Sequence, residues 1–381
     1  MELLRRLDGL YANAGTVAEA GRSRNLRVLR DMLGPAFRGL LLRRGKGADA
    51  TDVPARHSAT FDWRYLRDRP EIHKLFEAAK TSQWVSEQVL DWSIDVDPHH
   101  PQRALAHPDI LPLSAIPQFQ RLPLRQQQEQ VHALVAWMLS QFLHGEQGAL
   151  FAACQVTESV GDLEAKLYGS TQVVDEGRHV EVFHRYLTQK LGKLYEINDN
   201  LYVLVDAIMG DSRWDLKFLG MQILIEGLAL GAFGTLRSST QEPLLKELLK
   251  YVITDEARHV TFGVVALRDY YREDVEERER RDREDWAFEM SLLMRNRFLA
   301  HEFYDEHYGH VMSRAQWDKT ILGSPYMERF RRTMFRRIVP NLKRIGLLTD
   351  RIRPHYQALG LLEFEHERAA PELTGDDLLA S

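Results

Sequence analysis

The sequence predicts an all-α protein built around a four-helix bundle, on two observations. Apolar residues recur at three- and four-residue steps over most of the chain after about residue 123, and no stretch shows the alternation typical of a strand. One unit also occurs twice, a glutamate followed thirty residues later by Glu-x-x-His. The two copies are Glu146 with Glu176 and His179, and Glu226 with Glu256 and His259. Four helices that face one core can bring two such copies together.

Residues 1–122 are predicted to form N-terminal helices and an extended entry segment. Leucine and arginine interleave between residues 22 and 44, and residues 45–49 are read as a break. This pattern favours a surface helix whose leucines cover the bundle, and a helix that lies on a membrane or a partner is the alternative. Pro70 begins a further helix. Later prolines exclude a continuous helix before about residue 120, at positions 108, 112 and 117.

Residues 123–272 are predicted to form the bundle, and residues 273–381 to add C-terminal helices packed on it in one globular unit. The bundle helices, with a connector in third place, are expected at about 123–158, 162–190, 196–210, 214–237 and 243–272. Acids and arginines alternate over residues 272–285. We expect that segment to be a solvated helix with many ion pairs.

Composition limits the function classes. The chain has 381 residues, 44% of them apolar, and a net charge of −5, which argues against a general nucleic-acid binder. Its single cysteine, Cys154, excludes an internal disulfide and fits a reducing compartment. We find no signal peptide and no apolar run of membrane-spanning length. We therefore expect a soluble cytoplasmic protein with no integral membrane segment.

The repeated unit predicts a dinuclear metal site. On a helix, Glu-x-x-His places a carboxylate and an imidazole on one face. Glu146 falls on an apolar stripe, where a carboxylate is costly unless it is paired or bound to a metal. Fe²⁺ and Mn²⁺ take such mixed oxygen and nitrogen ligands, and four carboxylates with two imidazoles neutralise two divalent ions.

A second set of residues is predicted to support the ligands. Asp175 and Asp255 each immediately precede a glutamate of the repeat. Metal-bound histidine usually donates its other N–H to a carboxylate, so each aspartate should bond the histidine of the opposite motif. The expected pairs are Asp175 with His259 and Asp255 with His179. Arg178 and Arg258 would then compensate the buried aspartates and complete the cofactor-binding set.

Five other histidines are expected to have core or surface roles. A lone Glu-x-x-His is common on surface helices, whereas two copies at identical spacing are hard to obtain by chance. The five are His144, His184, His301, His307 and His310.

Both motifs read Asp-Glu-x-Arg-His, at residues 175–179 and 255–259. With them the chain resembles the ferritin-like di-iron carboxylate superfamily over about residues 123–272. The similar branches activate oxygen: multicomponent monooxygenase hydroxylases, acyl-carrier-protein desaturases, ribonucleotide reductase small subunits and arylamine N-oxygenases. The resemblance implies a ferritin-like bundle with two Fe ions, or a Mn/Fe pair. It implies as metal ligands and catalytic residues Glu146, Glu176, His179, Glu226, Glu256 and His259.

The chain also departs from each of these branches. Phe183 stands where reductase small subunits keep a radical tyrosine. Ala229 and Leu230 follow the third ligand glutamate, where monooxygenases and desaturases keep a threonine, unless Thr235 substitutes for it. Val252 holds the place of the extra histidine of arylamine N-oxygenases. The sequence therefore matches the superfamily without selecting one branch.

The positions one turn from the ligands are apolar. They predict a dry pocket for a hydrophobic or aromatic substrate. Alternatively, the small residues of 227–232 allow close packing of helices. An apolar pocket and close packing can both be present. The pocket positions are Ala149, Leu150, Ala153, Phe183, Leu230, Phe233 and Gly234.

The predicted function is that of an oxidoreductase, an O₂-dependent di-iron oxygenase or oxidase that hydroxylates, N-oxygenates or desaturates its substrate, with a monooxygenase favoured. One alternative is a redox metalloprotein like a reductase small subunit, with Mn/Fe as an option. Another is a ferroxidase or peroxide scavenger. The expected partners are a small hydrophobic or aromatic substrate, O₂ and an external reductase or ferredoxin. A homodimer is compatible with this scheme.

Overall fold

The computed structural model describes residues 2–47, 50–107 and 111–379. In these ranges every regular element is a helix and none is a strand. The all-α prediction is therefore confirmed. Pro108 and residues 48–49 of the expected break lie outside the described residues.

The helices have the following bounds. The N-terminal ones are α1 (Glu2–Glu19), α2 (Leu26–Ala36), α3 (Pro70–Thr81), α4 (Ser86–Val89) and α5 (Pro117–Gln120). Next come α6 (Leu124–Ser159), α7 (Leu163–Arg185), α8 (Asp199–Gly210), α9 (Trp214–Phe218), α10 (Glu226–Ser239) and α11 (Pro243–Asp269). The C-terminal ones are α12 (Glu277–Asn296), α13 (His301–His307), α14 (Arg314–Leu322), α15 (Pro325–Phe335), α16 (Val339–Arg344), α17 (Arg353–Ala358) and α18 (Gly375–Leu379). Short π-helical or 3₁₀ segments are Phe37–Leu41, Pro112–Ala115, Tyr186–Leu191, Leu219–Ile225, Tyr270–Asp274, Arg297–Leu299, Leu362–Phe364 and Ala370–Glu372.

Four long helices form the core of the bundle. They are α6, α7, α11 and the continuous helix Trp214–Ser239, which joins α9 and α10 through a π-helical segment. The helix α6 packs along α7, α10 packs along α11, and α7 also contacts α11. The helices expected in this region are therefore present, and their ends differ from the predicted ones by a few residues.

Side chains set the starts of the two helices that carry Glu-x-x-His. Asp162 accepts a hydrogen bond from the backbone N–H of Ala165 at 2.8 Å, ahead of α7. Glu242 accepts from the N–H groups of Leu244 and Leu245 at 2.9 and 2.6 Å, ahead of α11. These carboxylates satisfy N–H groups that have no partner within the helix. They thereby fix where each helix begins.

A π-helical segment, Leu219–Ile225, lies directly before Glu226. A π-helical turn widens the helix locally, and such turns are frequent at functional sites. The segment rests closely on α11, since a Cβ on Gly263 would lie 2.6 Å from the Cβ of Gln222. Glu226 is thus placed by a widened stretch of helix that is held against the helix opposite.

The outer helices surround this core. The N-terminal α2 packs on α8 and α12, α3 packs on α7 and α11, and the C-terminal α15 packs on α10. The division into residues 1–122, 123–272 and 273–381 stays a prediction.

The N-terminal leucines cover the bundle only in part. Leu40 is buried, at 7% exposure, and so is an apolar residue of α2, Val28, at 3%. Leu26 and Leu33 are 80% and 67% exposed, so the expectation that the leucines of this segment face the bundle is wrong for these two. Most of the surface of both side chains is therefore open to solvent.

The prediction of a solvated helix over residues 272–285 is wrong for its last turn. Residues 283–285 are buried, because α12 packs against α8 and the π-helical segment. Arg283 pairs with Asp215 at 2.8 Å, and the Tyr271 hydroxyl donates to the same carboxylate at 3.0 Å. Buried charges persist when they are paired and hydrogen-bonded in this way.

The prediction that no apolar run reaches membrane-spanning length is also wrong. The helix Trp214–Ser239 is long and apolar enough by length and composition, with a mean hydropathy of 1.5 in its most apolar window. All of that window is buried inside the protein. Its apolarity is therefore accounted for by a central position in the bundle, where a helix is covered on every side.

Removing the partner of Arg283 should destabilise the fold. We expect Asp215→Ala to lower the free energy of unfolding by about 3–5 kcal/mol, because a buried guanidinium would lose its counter-charge. Urea denaturation measures this change. The control is Glu277→Ala, which removes an exposed ion pair with Arg281 and should cost less than about 1 kcal/mol. Equal losses in the two variants would contradict the structural role of the buried pair.

Candidate metal centre

Six side chains from the four core helices meet at the centre of the bundle. Each is at most 5% exposed. They are Glu146 from α6, Glu176 and His179 from α7, Glu226 from α10, and Glu256 and His259 from α11. The structure thus brings together every side chain that the sequence proposes as a ligand.

The six residues form two overlapping groups. Glu146, Glu176, His179 and Glu256 offer ligand atoms that all lie within 4.8 Å of one another. The same holds for Glu176, Glu226, Glu256 and His259. Each group contains one histidine, and both contain Glu176 and Glu256. Two adjacent metal ions could therefore be held here, and Glu176 and Glu256 would be available to both.

The two imidazoles turn the same nitrogen inward. His179 Nδ1 lies 3.2 Å from both Glu146 Oε2 and Glu256 Oε1. His259 Nδ1 lies 3.1 Å from Glu176 Oε1. The ring centroids are 6.0 Å apart. Both Nδ1 atoms are therefore available to metals placed between the rings.

The outward nitrogens bond the aspartates of the opposite motif. His179 Nε2 lies 3.2 Å from Asp255 Oδ2, and His259 Nε2 lies 3.2 Å from Asp175 Oδ2. These are the two hydrogen bonds expected from the sequence. An aspartate at Nε2 keeps the proton there and leaves the lone pair of Nδ1 free for a metal.

Two arginines span both aspartates. Arg178 contacts Asp175 and reaches Asp255 at 3.4 Å, and Arg258 contacts Asp255 and reaches Asp175 at 3.4 Å. Burial raises the pKa of each aspartate, but the histidines and Arg258 outweigh it and hold the pKa below its ordinary value. Both carboxylates are therefore ionised at neutral pH, as acceptors of the histidine N–H groups must be.

Sequence reasoning missed Gln172. This buried side chain lies one turn before Glu176 on α7, and its Nε2 donates to Glu226 Oε1 at 3.0 Å and to Glu176 Oε1 at 3.3 Å. It holds two of the carboxylates relative to each other. The four-residue spacing from Glu176 is the signal that could have pointed to it.

Two further contacts come from the segment before the bundle. The indole N–H of Trp84 donates to Asp255 Oδ2 at 2.8 Å. The side-chain amide of Gln83 donates to Asp175 Oδ1 at 3.1 Å. Their partners lie far away along the chain, so these two contacts could not be read from the sequence.

The central atoms fit a pair of cations. Several inward-facing atoms are buried without a hydrogen-bond partner among the described residues: Glu176 Oε2, Glu226 Oε2, both carboxylate oxygens of Glu256 and His259 Nδ1. Such atoms carry the full desolvation penalty unless an ion or a proton meets them. Two divalent ions would balance the four carboxylates and give these atoms partners. The cluster can therefore hold a dinuclear metal site.

The pKa shifts of the central glutamates also fit a site for cations. Burial, followed by the negative charge of Glu256, raises the pKa of Glu146 and of Glu226 well above the usual range. Burial also acts to raise the pKa of Glu176, but His259 and His179 outweigh it and lower that pKa. Without cations the cluster thus takes up protons to relieve repulsion. Metal binding would displace those protons.

Three phenylalanines fill the apolar space next to the ligands. The ring of Phe142 lies 4.7 Å from that of Phe233 and 6.1 Å from that of Phe183, and the last two are 5.8 Å apart. We call these three residues the aromatic cluster. Phe183 and Phe233 were expected to line a pocket, and they line a densely packed apolar layer beside the site.

The small residues of α10 do serve close packing. A Cβ on Gly231 would lie 3.1 Å from Met334 Cε and from the carbonyl oxygen of Thr333, both on α15. A side chain there would force the two helices apart. The packing alternative for residues 227–232 thus holds at Gly231.

The remaining histidines lie outside the cluster. Within the described ranges, neither group of potential metal ligands includes any of the five expected to have other roles. His144 Nε2 bonds the carbonyl oxygen of Tyr195 at 2.9 Å, and His301 Nε2 bonds Asp318 at 2.7 Å. Both histidines tie helices to neighbouring segments.

Comparison with known proteins gives structural neighbours only. No family model and no curated protein matches the chain. A solved R2-like ligand-binding oxidase variant with an anaerobically reconstituted Mn/Fe cofactor is 20% identical, with a TM-score of 0.44, covering 72% of this chain and 93% of that chain. Another such oxidase, with an aerobically reconstituted metal cofactor after photoconversion, is 19% identical, with a TM-score of 0.45 and the same coverage.

A further variant of an R2-like ligand-binding oxidase with Mn/Fe is 20% identical, with a TM-score of 0.41, and covers 76% of this chain and 97% of that chain. All three neighbours share no more than 20% of their residues with the chain. We infer the activity of this chain from the geometry of its own site.

A glutamate shared by both groups should matter more for metal binding than one that belongs to a single group. We expect the wild-type protein to bind two divalent ions, Glu146→Ala to bind fewer, and Glu256→Ala to bind none tightly. Elemental analysis after anaerobic loading with Fe²⁺ measures the stoichiometry. Glu181→Ala, an exposed change on α7, is the control and should bind two ions. Two tightly bound ions in Glu256→Ala would contradict the shared role.

Asp255, which bonds His179, should change the affinity of the site for metal ions but not the number of ions bound. We expect Asp255→Asn to bind two ions but about 10–100-fold more weakly, because an amide no longer fixes and polarises the imidazole. Competition with a chelator measures the affinity. Asp269→Asn, on the same helix but paired with Arg268, should leave it unchanged. An unchanged affinity in Asp255→Asn would refute the role of the hydrogen bond.

Proposed function

We propose that this chain is an O₂-dependent oxidoreductase of the oxygenase or oxidase type, with a di-iron or a Mn/Fe centre. The observation that carries the proposal is the pair of overlapping ligand groups that share Glu176 and Glu256. When bound, two adjacent redox-active metals supply the electrons that reduce O₂ and the oxidising power for the substrate. The residues of the chain hold, orient and isolate that centre.

The supporting residues set the geometry of the site. Asp175 and Asp255 hold the proton on Nε2 of each histidine, and Gln172 holds Glu176 and Glu226 in place. Ligands that are fixed before the metals bind lose little freedom when they do so. The site is thus organised by hydrogen bonds that need no metal.

The aromatic cluster supports an apolar substrate. Phe142, Phe183 and Phe233 are at most 6% exposed and keep water from one side of the ligands. A dry, apolar boundary protects a strong oxidant from side reactions and favours a hydrophobic or aromatic compound next to it. Hydroxylation, N-oxygenation and desaturation are all compatible with this boundary, and we favour a monooxygenase.

A series of side-chain contacts through Trp84 supports electron entry from a donor protein. Trp84 donates to Asp255, which in turn bonds the candidate ligand His179. On its other side the Trp84 ring lies 5.2 Å from the ring of Tyr251, which is partly exposed. This series of contacts connects the site to the surface. An external reductase or ferredoxin would deliver electrons there.

The alternatives have less support. Phe183 has no hydroxyl and packs within the aromatic cluster, so the radical tyrosine of reductase small subunits has no counterpart at this position. Thr235 donates to the carbonyl oxygen of Gly231 in its own helix at 2.8 Å, so its hydroxyl is engaged away from the site. Outer helices enclose the bundle on several sides, which is more than iron storage requires. The electron donor, a homodimer and a cytoplasmic location stay predictions.

Oxygen uptake tests the proposal. Protein loaded anaerobically with Fe²⁺, or with Mn²⁺ and Fe²⁺, should consume O₂ on mixing and change its visible absorption. Glu256→Ala should consume no more than the same metals without protein, whereas Glu181→Ala should match the wild type. A fully loaded wild-type protein that consumes no O₂ would refute an oxygen-activating function.

A further inference from the structure

An apolar cavity lies between α6 and the C-terminal helices, and Phe142 of the aromatic cluster forms part of its wall. Its walls include Met138 and Phe142 of α6, Phe298, and Met327 of α15. It encloses about 490 Å³ free of protein atoms, part of it open to solvent. Two flexible methionines in its walls, Met138 and Met327, can adjust to an occupant.

One charged side chain lines this cavity. Arg297 is 4% exposed, and among the described residues no hydrogen bond or ion pair reaches its guanidinium. The guanidinium carbon lies over the neighbouring ring of Phe298, 5.2 Å from its centroid. Burial alone lowers the pKa of Arg297 to about 10, so the group stays charged at neutral pH. A buried cation is thus held without a counter-charge.

The other buried arginines show how unusual this is. Arg283 is 4% exposed and pairs with Asp215 at 2.8 Å. Arg314 is 8% exposed and pairs with Asp305 at 2.6 Å. A buried guanidinium without a partner costs much more free energy than a paired one. An anionic partner from outside the chain would therefore lower the free-energy cost of burying Arg297.

A second donor faces the same cavity. Tyr326 is 9% exposed, and within the described ranges its hydroxyl takes part in no hydrogen bond, while its ring stacks on Phe330 at 5.4 Å. The other polar groups in the wall are already engaged. Trp137 donates to Glu302 at 3.0 Å, and Gln141 donates to the carbonyl oxygen of Glu196 at 3.0 Å. The cavity thus offers two free donors within an apolar wall.

We propose that this cavity binds an apolar molecule carrying one carboxylate, with the carboxylate on Arg297 and the apolar body against Met138 and Phe142. A guanidinium matches a carboxylate in charge and in its two-pronged geometry, and the Tyr326 hydroxyl can donate to the same anion. A phosphate dianion would leave one negative charge buried and unpaired. An uncharged molecule would leave the arginine as it is.

The position of the cavity gives the bound molecule a role. Phe142 belongs to both the cavity wall and the aromatic cluster, and it lies one helical turn before Glu146. The apolar end of the ligand would therefore approach the metal centre, with its carboxylate held away from it. Identifying this ligand as the substrate rests on the proposed function, whereas its binding does not require the metals.

Calorimetric binding to metal-free protein tests the site. The probes are octanoate and 3-phenylpropionate, which separate an alkyl from an aryl body, together with the methyl ester of each. We expect at least one acid to bind, its ester to bind more than about tenfold more weakly, and Arg297→Gln to lose affinity for the acid by a similar factor. Arg329→Gln, an exposed change on α15, should bind as the wild type does.

Stability measurements keep the test independent of folding. Arg297→Gln removes an unpaired buried charge, so its melting temperature without ligand should equal or exceed that of the wild type. Tyr326→Phe should retain the fold and weaken binding of the acid less than Arg297→Gln does. Equal affinity of acid and ester, equal affinity in Arg297→Gln, or no binding of either acid would overturn the proposal.

A parallel oxygen-uptake measurement separates this inference from the proposed function. An acid that binds to the metal-free protein supports the site even if the loaded protein consumes no O₂, which would refute the oxidase function alone. A loaded protein that consumes O₂ but binds neither acid would overturn the site and leave the oxidase function standing.

Discussion

The burial of four carboxylates in a helical core is the constraint on which the rest of this structure depends. Glu146 and Glu226 lie where burial and neighbouring negative charge both oppose ionisation. The core tolerates them because imidazoles lie between the carboxylates, and because cations or protons can fill the space they surround. Helix caps, the π-helical segment and close glycine contacts all serve to hold this cluster in one place.

The supporting hydrogen bonds link the two helices that carry Glu-x-x-His. Each aspartate bonds the histidine of the other helix, and Arg178 and Arg258 each reach both aspartates. The orientation of one imidazole therefore depends on the position of the opposite helix. Such coupling makes the site a property of the assembled bundle, and Trp84 extends it to the segment that precedes the bundle.

Outside the metal centre the chemistry changes in layers. Phe142 belongs to both the aromatic cluster and the cavity wall, and it lies one helical turn before Glu146. Beyond it, Arg297 is a single unpaired charge in apolar surroundings. The protein thus has a buried group of anions at the metal centre and a buried cation in the neighbouring cavity. The proposed acid matches that cation in charge and the cavity wall in polarity.

The helices and the six candidate ligands could be read from the sequence, because helical periodicity and the Glu-x-x-His spacing are local properties of the chain. The crossed aspartate–histidine pairs followed from the same spacing and the known preference of bound histidine. The exposure of Leu26, the buried pair of Arg283 with Asp215, the role of Gln172 and the isolation of Arg297 could not be read in this way. They depend on how helices far apart in the chain dock together, and local periodicity does not specify docking. The sequence alone determined which residues share a helical face, and tertiary packing decided what each face meets.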